Sequence, residues 1–353
     1  MEFLTDYGLF LAKSVTLVVA ILFIVGSLVA LGQKQKKQHD GDIEITHLND
    51  RLKKFKQSLE HSILSKELIK SREKARKKEE KARAKAEKES RKAGKGNPLE
   101  ENDDKQRVFV MDFDGDIKAS EVSRLREEIT AVLTLAGDKD EVVIRLESPG
   151  GMVHGYGLAA SQLERIRQKN IPLTVCVDKV AASGGYLMAC LANKIVAAPF
   201  SIIGSIGVVA QLPNFHRLLK KHDIDFEVLT AGEYKRTLTV FGENTEKGRQ
   251  KFVEDLEETH VLFKEFVNEH RPQVDIDEVS KGEIWYGRRA KERLLVDEIM
   301  TSDDYLSSKC DQADVYLVHY LEKKSLAEKV GLSVAKAAET LALKVAKLSS
   351  SKV

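Results

Sequence analysis

The stretch VDKVAASGGYLMACLANK, residues 177–194, sets Ser183, Gly184 and Gly185 between a β-branched run and one rich in alanine and leucine. Two glycines at the start of a helix cost roughly 1 kcal/mol each against alanine, so the position needs backbone rather than side chain. Where a strand hands over to a helix, the free N–H groups and the positive end of the helix dipole face the Ser183 hydroxyl and any anion formed beside it. Gly184 has no Cβ, which lets a carbonyl come close to its N–H, as an oxyanion donor requires. A second pair, Gly150 and Gly151 in LESPGGMVHG, also follows a strand. Ends of neighbouring parallel strands lie side by side, which makes the Gly151 N–H the candidate second donor. The chemistry open to such a set is attack by a serine hydroxyl on a carbonyl carbon.

A serine nucleophile needs a base. His154 stands three residues beyond Gly151, with no carboxylate evidently placed to orient it. The other candidate is a lysine, which must be neutral to accept a proton and hence desolvated, its pKa brought from about 10.4 toward about 7 or 8. Lys235, in TAGEYKRTLT, is set apart from the many other lysines by following a strand pattern and an Ala-Gly turn inside the body of the chain. A carboxylate beside it would keep it protonated, so a hydroxyl is the better orienter. No metal is required. DFDGD, residues 112–116, begins like a calcium loop, but its glycine comes too early and Ser123 stands where a glutamate is needed, so it reads as a turn.

The elements that must position these groups are legible from about Arg107. Strands are expected at VFVMDF, EVVIRLE (141–147), LTVCV (173–177), KIVAAP (194–199), FEVLT (226–230) and VYLVHY. Helical patterns fall at about 119–135, 156–168, 214–221, 246–270 and 288–295. Strands alternating with helices predict an α/β domain with largely parallel pairing.

Four motifs in order, SPGG (148–151), VAASGGY (180–186), GSIGVV (204–209) and AGEYKRTL (231–238), resemble those of the signal-peptide-peptidase family S49 of Ser–Lys proteases, and the likeness covers nearly the whole chain. The resemblance implies a ClpP/crotonase-like spiral of ββα units. It implies Ser183 as nucleophile, Lys235, 52 residues downstream, as general base, and Ser205 as the residue that orients the lysine. The backbone N–H groups of Gly151 and Gly184 would form the oxyanion hole. It also implies peptide or protein substrates, no cofactor and a homo-oligomeric ring. Two other classes use parts of this pattern: a crotonase-like acyl-CoA enzyme, which shares the paired-amide hole without the dyad, and a non-catalytic membrane scaffold.

Around this body the sequence predicts an N-terminal tail (1–8), a transmembrane helix (9–33), a charged helical stalk (34–93), a linker (94–106), the α/β protease domain (107–320) and an amphipathic C-terminal helix (321–353). Ser14–Leu31 carries no charge for 18 residues, close to the length that spans a bilayer, and the acidic start MEFLTDYG is unlike a cleaved signal peptide. The bilayer is thus an expected partner, and the family resemblance implies that it is a bacterial inner membrane. Lys34, Lys36 and Lys37 favour a cytoplasmic body, whereas the family resemblance favours the outer side. Between Arg51 and Gly96 there are 18 Lys or Arg against 7 Asp or Glu, so a net charge of only +2 hides a basic arm on an acidic body. That arm has few aromatics among its charges, which argues against nucleic acid as its partner. Three scattered cysteines, Cys176, Cys190 and Cys310, make neither a disulfide framework nor a zinc site.

Overall fold

The structure, a computed structural model, describes residues 8–10, 13, 16, 41–92 and 105–322. The chain divides into two units, and the larger, Ile43–Tyr320, carries the fold. The other, Met1–Asp42 with Leu321–Val353, lies almost wholly outside the described residues, and with it the expected transmembrane segment 9–33 and C-terminal helix. Among the described residues no helix is long and apolar enough to cross a membrane.

The described strands make two sheets. The larger has the order β1 (Gly41–His47), β10 (Asp314–Glu322), β2 (Arg107–Asp114), β3 (Glu141–Glu147), β4 (Leu173–Val177), β6 (Lys194–Ala197) and β9 (Glu298–Ile299). From β10 to β9 every pair is parallel. Both faces of a parallel sheet are covered, which is why RVFVMDFD, EVVIRLE and LTVCV read as near-continuous apolar runs and are almost wholly buried. The smaller sheet has β5 (Val180–Ala182) beside β7 (Ile202–Gly204) in parallel, and β7 beside β8 (Ile284–Tyr286) antiparallel. The chain alternates between the two: β4 is followed by β5 and a helix, β6 by β7 and a set of helices.

Ten helices occur among the described residues of the larger unit: α1 (Leu48–Ile63), α2 (Lys66–Lys92), α3 (Val122–Leu133), α4 (Val153–Gln168), α5 (Gly184–Ala189), α6 (His216–Lys221), α7 (Glu246–His270), α8 (Ile276–Val279), α9 (Gly287–Glu292) and α10 (Ser302–Cys310). α3, α4 and α5 bury Leu125, Ile129, Tyr156, Leu163, Ile166, Tyr186 and Met188 against Met111, Phe113, Ile144 and Val175 of the sheet. The opposite face holds a smaller cluster in which α10 packs Tyr305 and Leu306 on Val110, Val143 and Val196.

Two expectations are corrected. The region 34–93 is not helical throughout, because GDIEITH, with β-branched residues at alternate positions, forms β1 on the sheet edge. The Asn49 amide then donates to the carbonyls of Cys310 and Ala313 at 2.8 and 2.9 Å and accepts from Val315 N–H at 2.8 Å, fixing the root of α1 to the domain. FEVLT is not a strand: residues 226–230 have no ladder partner among the described residues, and a strand without an edge to pair with leaves its backbone groups to water.

Candidate active site

β5 and β7 are in register at Ala182 and Gly204, and the next residue of each strand is a serine. Ser183 has φ 51° and ψ −119°, and Ser205 has φ 53°. A left-handed φ is costly for a residue bearing a Cβ, on the order of 1–3 kcal/mol, and persists only where the surroundings over-determine it. At Ser183 they do. Its N–H donates to Gly204 O at 2.8 Å and its carbonyl accepts from Leu187 N–H at 2.9 Å, so the residue is pinned between the strand and α5. Its hydroxyl makes no cap bond to α5 and is left for other work.

The loop after β3 is fastened to the same place. Ser148 bridges to Ala181, with Ser148 N–H on Val180 O at 2.8 Å and Ala182 N–H on Ser148 O at 3.0 Å. Gly150, at φ 89°, then lies directly against the Gly184 nitrogen, where a Cβ would come within 2.7 Å. Gly184 is required for a second reason: a Cβ there would meet Cγ of Tyr156 at 2.3 Å. Tyr156 is wholly buried, and its hydroxyl joins Ser148 Oγ at 2.5 Å and donates to Asp116 O at 2.8 Å, so the ring that forbids a larger residue is itself fixed. Neither Gly151 nor Gly184 gives its N–H to another backbone group among the described residues. Two amides thus remain free beside one serine.

These groups open on a cavity of about 930 Å³ lined by Gly150, Gly151, Ser183, Gly184 and Ser205. Its far wall is α7, which contributes Thr259, His260, Leu262, Phe263 and Phe266, with Leu187, Val208 and Val209 completing an apolar lining. α7 is held by Arg271, 2% exposed, whose guanidinium meets Asp297 at 2.8 and 2.9 Å and Leu294 O at 2.9 Å, while Asp297 also accepts from Ile195 N–H at 2.7 Å.

Four of the five expected site residues, Ser183, Ser205, Gly151 and Gly184, line this one cavity. Lys235 does not. It lies exposed on the segment between α6 and α7 and is absent from the cavity lining. His154 is also exposed and outside the lining, although its neighbour Val153 is part of it. Two groups that sequence reasoning passed over are present instead: Lys281, just before β8, and His260, whose Nε2 is buried without a hydrogen-bond partner. The helical pattern at 246–270 signalled α7, but nothing in it told which face would meet the serine.

Residues 2–163 match the family described as Peptidase family S49 N-terminal, and residues 165–316 the one described as Peptidase family S49. The chain is 56% identical over 330 residues to the "Probable protease SohB" of Haemophilus influenzae, which spans 94% of this chain and 92% of that protein.

The chain belongs to peptidase family S49.

A second relative of this S49 peptidase, the "Probable protease SohB" of Buchnera aphidicola subsp. Schlechtendalia chinensis, is 51% identical over 313 residues, 88% of this chain and all of that protein. "Protease 4" of Haemophilus influenzae is more distant, at 26% over 209 residues, 57% of this chain and 34% of the other. The free serine hydroxyl at a strained strand exit is therefore found in a serine-type peptidase.

Proposed function

We propose that the protein is a membrane-anchored endopeptidase that cleaves peptides or membrane-protein segments through an acyl-enzyme on Ser183. The observation that carries this reading is the left-handed φ of 51° at Ser183, directly before the unbonded Gly184 N–H. In this account Ser183 Oγ attacks the peptide carbonyl carbon, and the Gly151 and Gly184 amides receive the developing oxyanion. The base takes the hydroxyl proton and returns it to the leaving amine, and water then opens the ester in a second passage. The succession of one strand in each sheet followed by helix is in keeping with a ClpP/crotonase-like spiral.

Lys235 serves as the base when chains assemble. The segment that bears it leaves Phe226, Leu229 and Tyr234 uncovered, which is the surface a second copy would bury, and burial is also what a lysine needs to lose its proton near neutrality. Ser205, beside Ser183, is positioned to orient the arriving amine. A specific observation favours a second reading, in which Lys281 is the base, since it is the lysine that lines the cavity within one chain.

Complementation tests the first reading. Ser183→Ala and Lys235→Ala chains, each inactive alone, recover peptide hydrolysis when co-assembled if the lysine reaches a neighbouring chain's serine. Recovery absent in mixed assemblies, with Lys281→Ala inactive and Lys235→Ala active, assigns the base to Lys281.

A further inference from the structure

We propose that α1 is a membrane-surface helix, laying the stripe Leu52, Phe55, Leu59 and Ile63 into the interface of an anionic bilayer. The spacing of three, four and four residues puts these side chains on one face, and all are exposed, Phe55 by 53% and Ile63 by 75%. The other side of α1 is engaged, but through polar groups: Glu60 meets Arg72 of α2 at 2.5 Å and His61 meets Glu73 at 3.5 Å. A helix that turns ion pairs toward its neighbour and apolar residues outward has its apolar partner elsewhere.

Charge selects that partner. Arg51 and Lys56 border the stripe on its two sides, and the Arg51 guanidinium lies over the Phe55 ring at 5.5 Å, its head at the polar edge of an apolar face. Basic residues flanking an apolar stripe match a surface of anionic headgroups over acyl chains. Chain length agrees. Nine residues, 32–40, separate Leu31, the end of the uncharged segment, from Gly41, and the ten steps between the two, fully extended, reach no more than about 36 Å. With its root fixed by Asn49, α1 is thereby tethered close to any bilayer the uncharged segment enters.

The test uses the full chain with Cys310→Ser, Cys176 and Cys190 being buried, and nitroxide labels on Phe55→Cys, Leu59→Cys or Lys54→Cys. The chain is reconstituted in vesicles of phosphatidylcholine with or without phosphatidylglycerol. With phosphatidylglycerol, labels at 55 and 59 should lose collisions with a water-soluble nickel chelate and gain them with oxygen, while the label at 54 stays in water. Arg51→Gln and Lys56→Gln should each weaken this adsorption about fivefold, the equivalent of about 1 kcal/mol per charge. Labels at 55 and 59 that stay as open to nickel as the label at 54 would overturn the proposal. So would spin–spin coupling between labels at 55 that is equal in detergent and in vesicles, since the stripe would then face a second copy.

Discussion

Ser183 and Ser205 stand side by side, each the first residue beyond a parallel strand whose last residues, Ala182 and Gly204, are register partners, and both hold φ near +50°, at 51° and 53°. The two hydroxyls therefore reach one cavity from adjacent strand ends. If Ser183 attacks and Ser205 holds the base, the same backbone device serves both. Replacing Ser205 by alanine should lower kcat by about 10- to 100-fold with little change in KM, the range that partners orienting a functional group carry. The acidic limb of the pH–rate profile, where the base becomes protonated, should shift with it. A pure loss of stability, with kcat and the pH profile unmoved in the folded fraction, would deny the orienting role.

Gly184→Ala should fail for a reason separate from chemistry. The added methyl meets the Tyr156 ring at 2.3 Å, and that ring is held by Ser148 and by Asp116 O. Overpacking of this kind costs about 1–3 kcal/mol, and the amide it displaces is one of the two expected oxyanion donors. Thermal melts and turnover should both fall. Full activity in Gly184→Ala would remove this amide from the mechanism.

The lysines separate in their dependence on assembly. Lys235→Ala should leave the folded chain as stable as the wild type, since the side chain is exposed, while peptide hydrolysis falls by about 10²-fold or more, as loss of a general base does. Side-by-side rates for Lys235→Ala and Lys281→Ala, with melting curves, decide between them.

Glu128 predicts a pH dependence of stability away from the site. The side chain is 0% exposed, one oxygen accepts from Tyr320 N–H at 2.9 Å with Arg124 at 3.3 Å, and the other has no partner. Burial pushes its carboxyl from 4.5 up to about 7, against the lowering by Tyr320 N–H and Arg124. The folded state then holds a proton that the unfolded chain releases at lower pH, so this contribution is present below about pH 4.5 and is lost as pH rises to about 7. The loss is on the order of 3 kcal/mol. Denaturant midpoints across that range should fall for the wild type and flatten in Glu128→Gln. An identical slope in both would exclude Glu128 as its source.

Much of this was legible in the sequence where local pattern and tertiary burial agree. β3, β4 and α7 fall at the expected residues because EVVIRLE, LTVCV and the 246–270 periodicity each fit one element alone. The glycines at 150, 151 and 184 marked the site, but half of their reason was hidden. The Tyr156 ring and the Ile117 carbonyl, which a Cβ at Gly151 would meet at 2.1 Å, come from distant parts of the chain. FEVLT has strand composition and no strand, since pairing depends on an edge that the described residues do not supply. Lys281 and His260 reach the cavity only through the path of α7 and the approach to β8, which no spacing announces.

The central claim is that the Ser183 hydroxyl forms the covalent intermediate. Treating the assembled enzyme with an acylating serine-hydrolase probe and mapping the adduct by peptide mass spectrometry tests it most directly. One adduct per active chain on the peptide containing Ser183, rising in step with loss of activity and absent in Ser183→Ala, is the result expected. An adduct on another residue, or complete inactivation with Ser183 unmodified, would contradict it.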